Sequence, residues 1–187
     1  MSSKLTKLIA VYREHLTVPW QKGLAAIQRV IFAVYEKEDE LRLRAHAGEF
    51  ELATVQANYR WLLIDITNSF PEWLAALEYR DAYFECPDDL SGYQSGEVIE
   101  YVQALIAQVR EQIVAAADEN TVVGLLGVGS LFGLGRVSTL VEGIKDVVPG
   151  RMLVFFPGEY HPENHAYRLL DARDGWNYLA VPLLAKE

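Results

Sequence analysis

The sequence has very little cysteine, no long apolar run and no segment that looks like an export signal. Its single cysteine, Cys86, allows no internal disulfide, which is typical of proteins kept in a reducing cytoplasm. No apolar run reaches the ~18 residues that a membrane span needs, and Met1–Leu5 lacks the apolar segment and cleavage signature of a secretory signal. These absences predict a cytoplasmic protein with no membrane partner.

The sequence also has no excess of positive charge: its net charge is -9. Residues 1–35 contain five bases and one acid, whereas residues 36–120 contain 18 acids and six bases. Proteins that bind along a phosphate backbone depend largely on Lys and Arg. The acidic segment 36–120, which we call the acidic body, therefore argues against direct nucleic-acid binding. The basic N-terminal segment is too sparse to change this expectation, and a solvated amphipathic helix explains it more simply.

What the sequence does contain is an alternation of apolar runs and amphipathic segments. Apolar runs at 29–35, 61–66, 121–126 and 151–156 predict strands, and helical spacing is found at 5–16, 38–58, 70–85, 97–117 and 137–147. Such alternation is typical of an α/β fold. We therefore predict one three-layer α/β domain over residues 1–187, with a mainly parallel sheet and helices on both faces. The helix within residues 1–25 is expected to pack on this domain.

Four of these predictions specify burial. The helix at 5–16 has one apolar face, formed by Leu5, Leu8, Ile9, Tyr12 and Leu16, and the helix at 97–117 has Val98, Tyr101, Leu105, Val109 and Ile113 in register. The segment 38–58 is expected to form one long helix with Leu41, Ala45, Phe50, Leu52 and Val55 buried. The run 61–66 is almost continuously apolar, which favours a strand covered by helices on both faces.

A glycine-rich turn at 127–136 follows the third apolar run and could hold a phosphate group. A P-loop needs G-x-x-x-x-G-K-[ST]; Gly124 and Gly129 have the glycine spacing, but Ser130 and Leu131 follow them. The dinucleotide fingerprint G-x-G-x-x-G is also missed, by one residue. The favoured interpretation is a tight strand-to-helix turn that needs glycine. A ligand loop formed by Gly127, Gly129 and Arg136 remains an alternative.

Acidic and imidazole side chains alternate at 158–165, after the fourth apolar run. His161 and His165 have the i, i+4 spacing of a helical metal site, with Glu159 and Glu163 beside them. Pro157, Gly158 and Pro162 predict a loop instead of a helix, so solvent-facing side chains are the favoured interpretation. Glu159 and His161 are kept as candidate members of the ligand loop.

No arrangement of residues indicates a catalytic nucleophile. Ser130 does not lie in a G-x-S-x-G elbow, and Cys86 stands before a proline in an acidic setting that opposes thiolate formation. The sequence therefore predicts no catalytic residue, no cofactor and no metal site.

Aromatic and acidic side chains are interleaved at 70–90, a pattern that is compatible with a protein-docking surface because Trp and Tyr dominate interface hot spots. A solvated charged face is the alternative. The candidate partner-binding residues are Trp73, Tyr79, Asp81, Tyr83, Glu85, Asp88 and Asp89.

The closing third of the chain resembles the BrxB family of bacteriophage exclusion (BREX) systems. The most specific matching string is Phe155–Tyr160, and Gly127–Gly129 precedes it as in the family. Further matching residues are Leu131, Phe132, Arg136, Leu140, Val141, Tyr167–Leu170, Asn177, Tyr178 and the opening segment Val30–Leu41. The chain departs from the family at Phe132-Gly133, usually Tyr-Pro, and at Val137-Ser138, usually Ser-His.

The resemblance implies a component of an antiphage defence system with no established catalytic activity. It also implies a scaffold role that joins other BREX proteins, most of all the alkaline-phosphatase-like PglZ. The residues leave two alternatives open beside this role. One is a nucleotide- or phosphate-binding enzyme or sensor that uses the loops at 127–136 and 158–165, and the other is direct DNA binding, which the acidic body disfavours.

Overall fold

A computed structural model describes residues 3–21, 23–90, 96–170, 172–173 and 180–185. Its helices are α1 (Ser3–Leu16), α2 (Glu40–Ala45), α3 (Ala47–Gln56), α4 (Ser69–Ala76), α5 (Arg80–Glu85), α6 (Gly96–Ala116) and α7 (Val137–Ile144). Its strands are β1 (Val30–Tyr35), β2 (Arg60–Asp65), β3 (Thr121–Leu126), β4 (Arg151–His161), β5 (Ala166–Leu169), β6 (Ala172–Arg173) and β7 (Val181–Leu183).

The strands form one sheet whose main path runs β2-β3-β4-β1-β7, and every pairing along this path is parallel. The distal part of β4 pairs antiparallel with β5, which in turn pairs with β6. This confirms the predicted mainly parallel sheet, and all four predicted strands belong to it.

Side chains of the central strands divide between two apolar layers, because successive residues of a strand point to opposite faces. Phe32 of β1 and Val154 of β4 join the cluster under α6 and α7. Ile31 and Phe155, one position along each strand, join the cluster under α1 and α3. The fold is therefore the predicted three-layer α/β arrangement.

The predictions for α1 and α6 are confirmed in both extent and register. In α1 the buried side chains are Leu5, Leu8, Ile9, Tyr12 and Leu16. In α6 all five residues predicted in register are buried: Val98, Tyr101, Leu105, Val109 and Ile113.

The single helix predicted at 38–58 is wrong, because the chain breaks at His46 into α2 and α3. The break shifts the buried face, so Leu43, Phe50 and Ala53 point into the core. Leu41, Ala45, Leu52 and Val55 are exposed instead, and only Phe50 of the predicted set is buried.

The expectation for 61–66 is confirmed in part, and those for 158–165 and 70–85 are corrected. β2 lies at the end of the sheet path with α3 against one face and α6 against the other, although Leu63 is 41% exposed. The predicted loop at 158–165 is in part strand, because β4 continues to His161 before the chain turns into β5. The segment 70–85 forms two short helices instead of one.

Candidate functional site

The carboxyl ends of the parallel strands form a crevice of about 490 Å³ between the loops after β1 and β3. The loop after β1 leads to α2 on one face of the sheet, whereas the loop after β3 leads to α7 on the other face. Such divergence is where open α/β sheets commonly bind ligands. Its walls include Glu40, Arg44, Thr67, Ser130 and Pro157.

The polar groups of this crevice bind one another. Arg44 Nε donates to Glu40 Oε1 at 2.7 Å, and Arg44 Nη2 donates to the Thr67 hydroxyl. The Tyr35 hydroxyl donates to the other carboxylate oxygen of Glu40. Asp65 Oδ1 accepts from the Thr67 amide at 2.9 Å. The hydrogen-bond acceptors of Arg44 are thus side chains of the protein itself. The hydrogen bonds form a continuous network from Tyr35 of β1 to Asp65 of β2.

The glycine turn is also closed upon itself. Gly127 has a φ of +88°, and a Cβ there would lie 2.5 Å from Thr67 Oγ1, so a side chain is disfavoured on both counts. The Ser130 hydroxyl lies 2.8 Å from the Gly127 carbonyl oxygen and 3.2 Å from that of Ile66. These contacts match the structural interpretation of the glycines as a tight turn.

The five residues proposed for a ligand loop do not line a common cavity. Gly129 lies at the carboxyl-end crevice, and Gly127 is buried beneath it. Arg136 is exposed beside α6 and α7. Glu159 lines a different cleft, next to Lys4 and Lys7 of α1.

His161 lies between two acids, with Nε2 3.4 Å from Glu159 Oε2 and Nδ1 3.4 Å from Glu163 Oε1. Tyr160 and His165 form a separate pair, in which the hydroxyl is 2.9 Å from Nδ1. His161 and His165 therefore interact with different side chains. Among the described residues no group of three or more His, Cys, Asp and Glu side chains is arranged to hold a metal ion.

The acidic-aromatic surface is the name we give to residues 69–88, which comprise α4, α5 and the turn after them. Its outer part is α5, where Tyr79 and Phe84 are 56% and 69% exposed. Asp81, Glu85 and Asp88 are also exposed, whereas the Asp89 side chain lies outside the described residues.

Two of the candidate aromatics point inward. Tyr83 is buried, with its ring 5.9 Å from that of Tyr79. Trp73 is half-buried and packs against Phe70 and Tyr101, at centroid distances of 6.0 and 5.6 Å. The structure therefore separates an inner support, Trp73 and Tyr83, from the exposed pair Tyr79 and Phe84.

The sequence reasoning missed Arg29 and Arg151, which lie at the opposite, amino end of the strands. Arg151 is 8% exposed although it carries a charge. The signal in the sequence was the position of these arginines. Each lies at the start of an apolar run, and a cation is unusual at the start of a buried strand.

The protein is an α/β protein in which the polar side chains at the carboxyl-end crevice form hydrogen bonds with one another. No helix in the described ranges has the length and apolarity needed to cross a membrane. The chain belongs to the BrxB family, because the family model described as BREX protein BrxB matches residues 64–183, more than half of the chain. It is thus a component of a BREX antiphage system. No curated protein and no solved structure matches the chain.

Proposed function

We propose that this chain is a non-catalytic assembly subunit of a BREX complex and that it docks another BREX protein, PglZ, through the acidic-aromatic surface. The observation that carries the proposal is the exposure of Tyr79 and Phe84 at the two ends of α5. Large aromatic rings left in water are favourable to bury against a partner, and such residues dominate interface hot spots.

The charges around these rings support the same role. Asp81, Glu85 and Asp88 are exposed around them. Nearby acids would steer a basic patch of the partner toward α5 and make the association rate depend on salt. Trp73 would hold α4 in place through its contacts with the core, and the buried Tyr83 would hold α5 against Glu97 of α6.

The first test reverses the charge of this surface. We expect Asp81→Lys, Glu85→Lys and Asp88→Lys together to weaken co-purification with PglZ by at least tenfold, with the melting temperature nearly unchanged because the three side chains are exposed. The matched control reverses three exposed acids elsewhere, Glu38, Glu51 and Glu111. Equal co-purification by both variants would rule out this surface as the interface.

The aromatic contribution is tested separately in the same assay. Tyr79→Ala with Phe84→Ala should reduce PglZ capture at high and low salt alike, since apolar burial is not screened. Phe132→Ala, which removes an aromatic ring that is 44% exposed elsewhere, is the control. Full capture by the double variant would show that the rings are not part of the interface.

A further inference from the structure

A cleft of about 730 Å³ lies at the amino ends of the strands, opposite the crevice described above. The segment after α1 forms one wall, and the rest is formed by residues that precede β1, β2, β3 and β4 together with Arg151, the first residue of β4. The side chains used below are Trp20, Arg29, Tyr59, Glu119 and Arg151.

Arg151 is the unusual residue of this cleft. Its side chain is largely buried, and its guanidinium makes no hydrogen bond and no ion pair with any residue that the structure describes. Its guanidinium lies over the Trp20 ring, with Cζ 4.9 Å from the ring centroid. Buried charges in proteins are normally paired, because the loss of hydration is otherwise uncompensated.

Arg29 brings a second guanidinium to the same cleft. Its Nη1 donates to the carbonyl oxygens of Val148 and Pro149 at 2.7 and 3.0 Å. Its Nε is buried and has no partner among the described residues. Burial lowers the pKa of Arg151, and the nearby positive charge of Arg29 lowers it further.

Among the residues that the structure describes, no carboxylate neutralises this pair. Glu119, the acid on the cleft wall, is exposed and forms no ion pair with either arginine in the described part of the chain. Burial lowers the pKa of nearby His15, and the charge of Arg151 lowers it further. Trp20 is held by stacking on Tyr59, with centroids 4.0 Å apart and planes 3° apart.

We propose that this amino-end cleft binds a phosphate group between Arg29 and Arg151. Two guanidiniums without a carboxylate partner among the described residues match a doubly charged oxyanion better than a carboxylate, and guanidinium is the cation whose planar donors fit phosphate oxygens. The volume is that of a small-molecule site. The acidic body disfavours a nucleic-acid strand as the source, so inorganic phosphate or a small phosphate monoester is the expected ligand.

This inference is independent of the proposed docking role, because the cleft involves none of the residues of the acidic-aromatic surface. Its test measures melting temperature and tryptophan fluorescence during titration with inorganic phosphate at constant ionic strength set with sodium chloride. We expect a saturable rise in melting temperature together with a fluorescence change from Trp20. Glycerol 3-phosphate and acetate are titrated in parallel, so that a monoester source and a carboxylate are distinguished from free phosphate.

The deciding variant is Arg151→Met, which removes the charge and keeps an apolar stem. We expect it to lose at least tenfold in phosphate affinity while its stability without phosphate stays equal or rises, since an uncompensated buried cation is removed. Arg60→Met is the control, because Arg60 is exposed at the same end of the sheet and is paired with Asp118 at 2.6 Å. It should keep the phosphate response.

Arg151→Lys provides a second variant that keeps the charge and loses the planar fork, and it should bind phosphate more weakly than the unchanged protein. Three outcomes would overturn the proposal. They are no response to phosphate beyond that to chloride, an unchanged response in Arg151→Met, and a marked loss of stability or failure to fold in Arg151→Met. Tighter binding of acetate than of phosphate would replace phosphate with a carboxylate as the ligand class.

Discussion

Tyr12 of α1 and Thr54 of α3 form a buried hydrogen bond of 2.6 Å that joins the two helices on one face of the sheet. Thr54 Oγ1 donates to the Phe50 carbonyl at 2.8 Å, so the Tyr12 hydroxyl is the donor to Thr54. Burial raises the pKa of Tyr12, which keeps this donor protonated at ordinary pH. The pair is a polar link inside an otherwise apolar layer.

The two ends of this hydrogen bond should respond differently to mutation. Thr54→Val leaves the buried Tyr12 hydroxyl without its partner and should lower the free energy of unfolding by about 1–3 kcal/mol. Tyr12→Phe removes the donor and leaves Thr54 bonded to Phe50, so its cost should be about 0.5–1.5 kcal/mol. Urea unfolding of both variants and of the double variant measures the difference. If Tyr12→Phe costs more than Thr54→Val, the assigned donor direction is wrong.

At the scale of elements, the sequence predicted best where one helix has one buried face. The spacing alone identified all five buried residues of α1 and every buried residue of α6 except Val102. It failed for 38–58 because several registers of that segment carry apolar residues, and the choice depends on the break at His46 and on packing against α1. Tertiary contacts of this kind cannot be read from a periodicity.

The extension of β4 was missed for a different reason. Pro157 and Gly158 are strong turn signals, yet β4 runs through them. Beyond Pro157 the strand exchanges its parallel neighbours for β5, with Gly158 opposite Leu169. The Pro157 carbonyl accepts from the Leu170 amide at 2.9 Å. A proline is tolerated where a strand changes partner, and the distant pairing that allows it leaves no local mark on the sequence.

The turn that ends β3 allows a matched pair of glycine variants. Gly127→Ala should be strongly destabilising, because it combines a φ of +88° with a Cβ position 2.7 Å from the Thr67 amide nitrogen. Gly133→Ala has a similar φ of +81° but no atom within 4 Å, so it should cost only about 1–2 kcal/mol of backbone strain. Thermal unfolding of the two variants separates steric clash from strain. Equal losses would show that the contact with Thr67 is easily relieved.

At the scale of the whole molecule, the candidate site was predictable only in part. The exposed acids Asp81, Glu85 and Asp88 lie where the sequence placed them, because charged residues of short helices rarely find buried partners. The inward positions of Trp73 and Tyr83 depend on α6, where Trp73 meets Tyr101 and Tyr83 hydrogen-bonds to Glu97, and this helix follows later in the chain. Arg29 lies next to Arg151 because β1 lies beside β4, and no local sequence pattern specifies this strand order.

In the described part of the chain, neither end of the sheet offers a complete nucleotide site, but for different reasons. At the carboxyl end, Arg44 is held by Glu40 and Thr67, and no lysine follows the glycine turn as a P-loop requires. At the amino end, Arg151 covers Trp20, whose ring also stacks on Tyr59, so the cleft offers charge for a phosphate without a free aromatic face for a base.

We therefore expect ATP with Mg²⁺ to raise the melting temperature no more than an equal concentration of inorganic tripolyphosphate with Mg²⁺, and NAD to have no effect. Calorimetry should give no tight isotherm for either nucleotide. Any small ATP response should disappear in Arg151→Met, because only the phosphate groups are recognised. If ATP instead bound far more tightly than tripolyphosphate and Arg151→Met left that binding intact, the carboxyl-end crevice would be a nucleotide site. The chain would then be an enzyme or sensor instead of a non-catalytic assembly subunit.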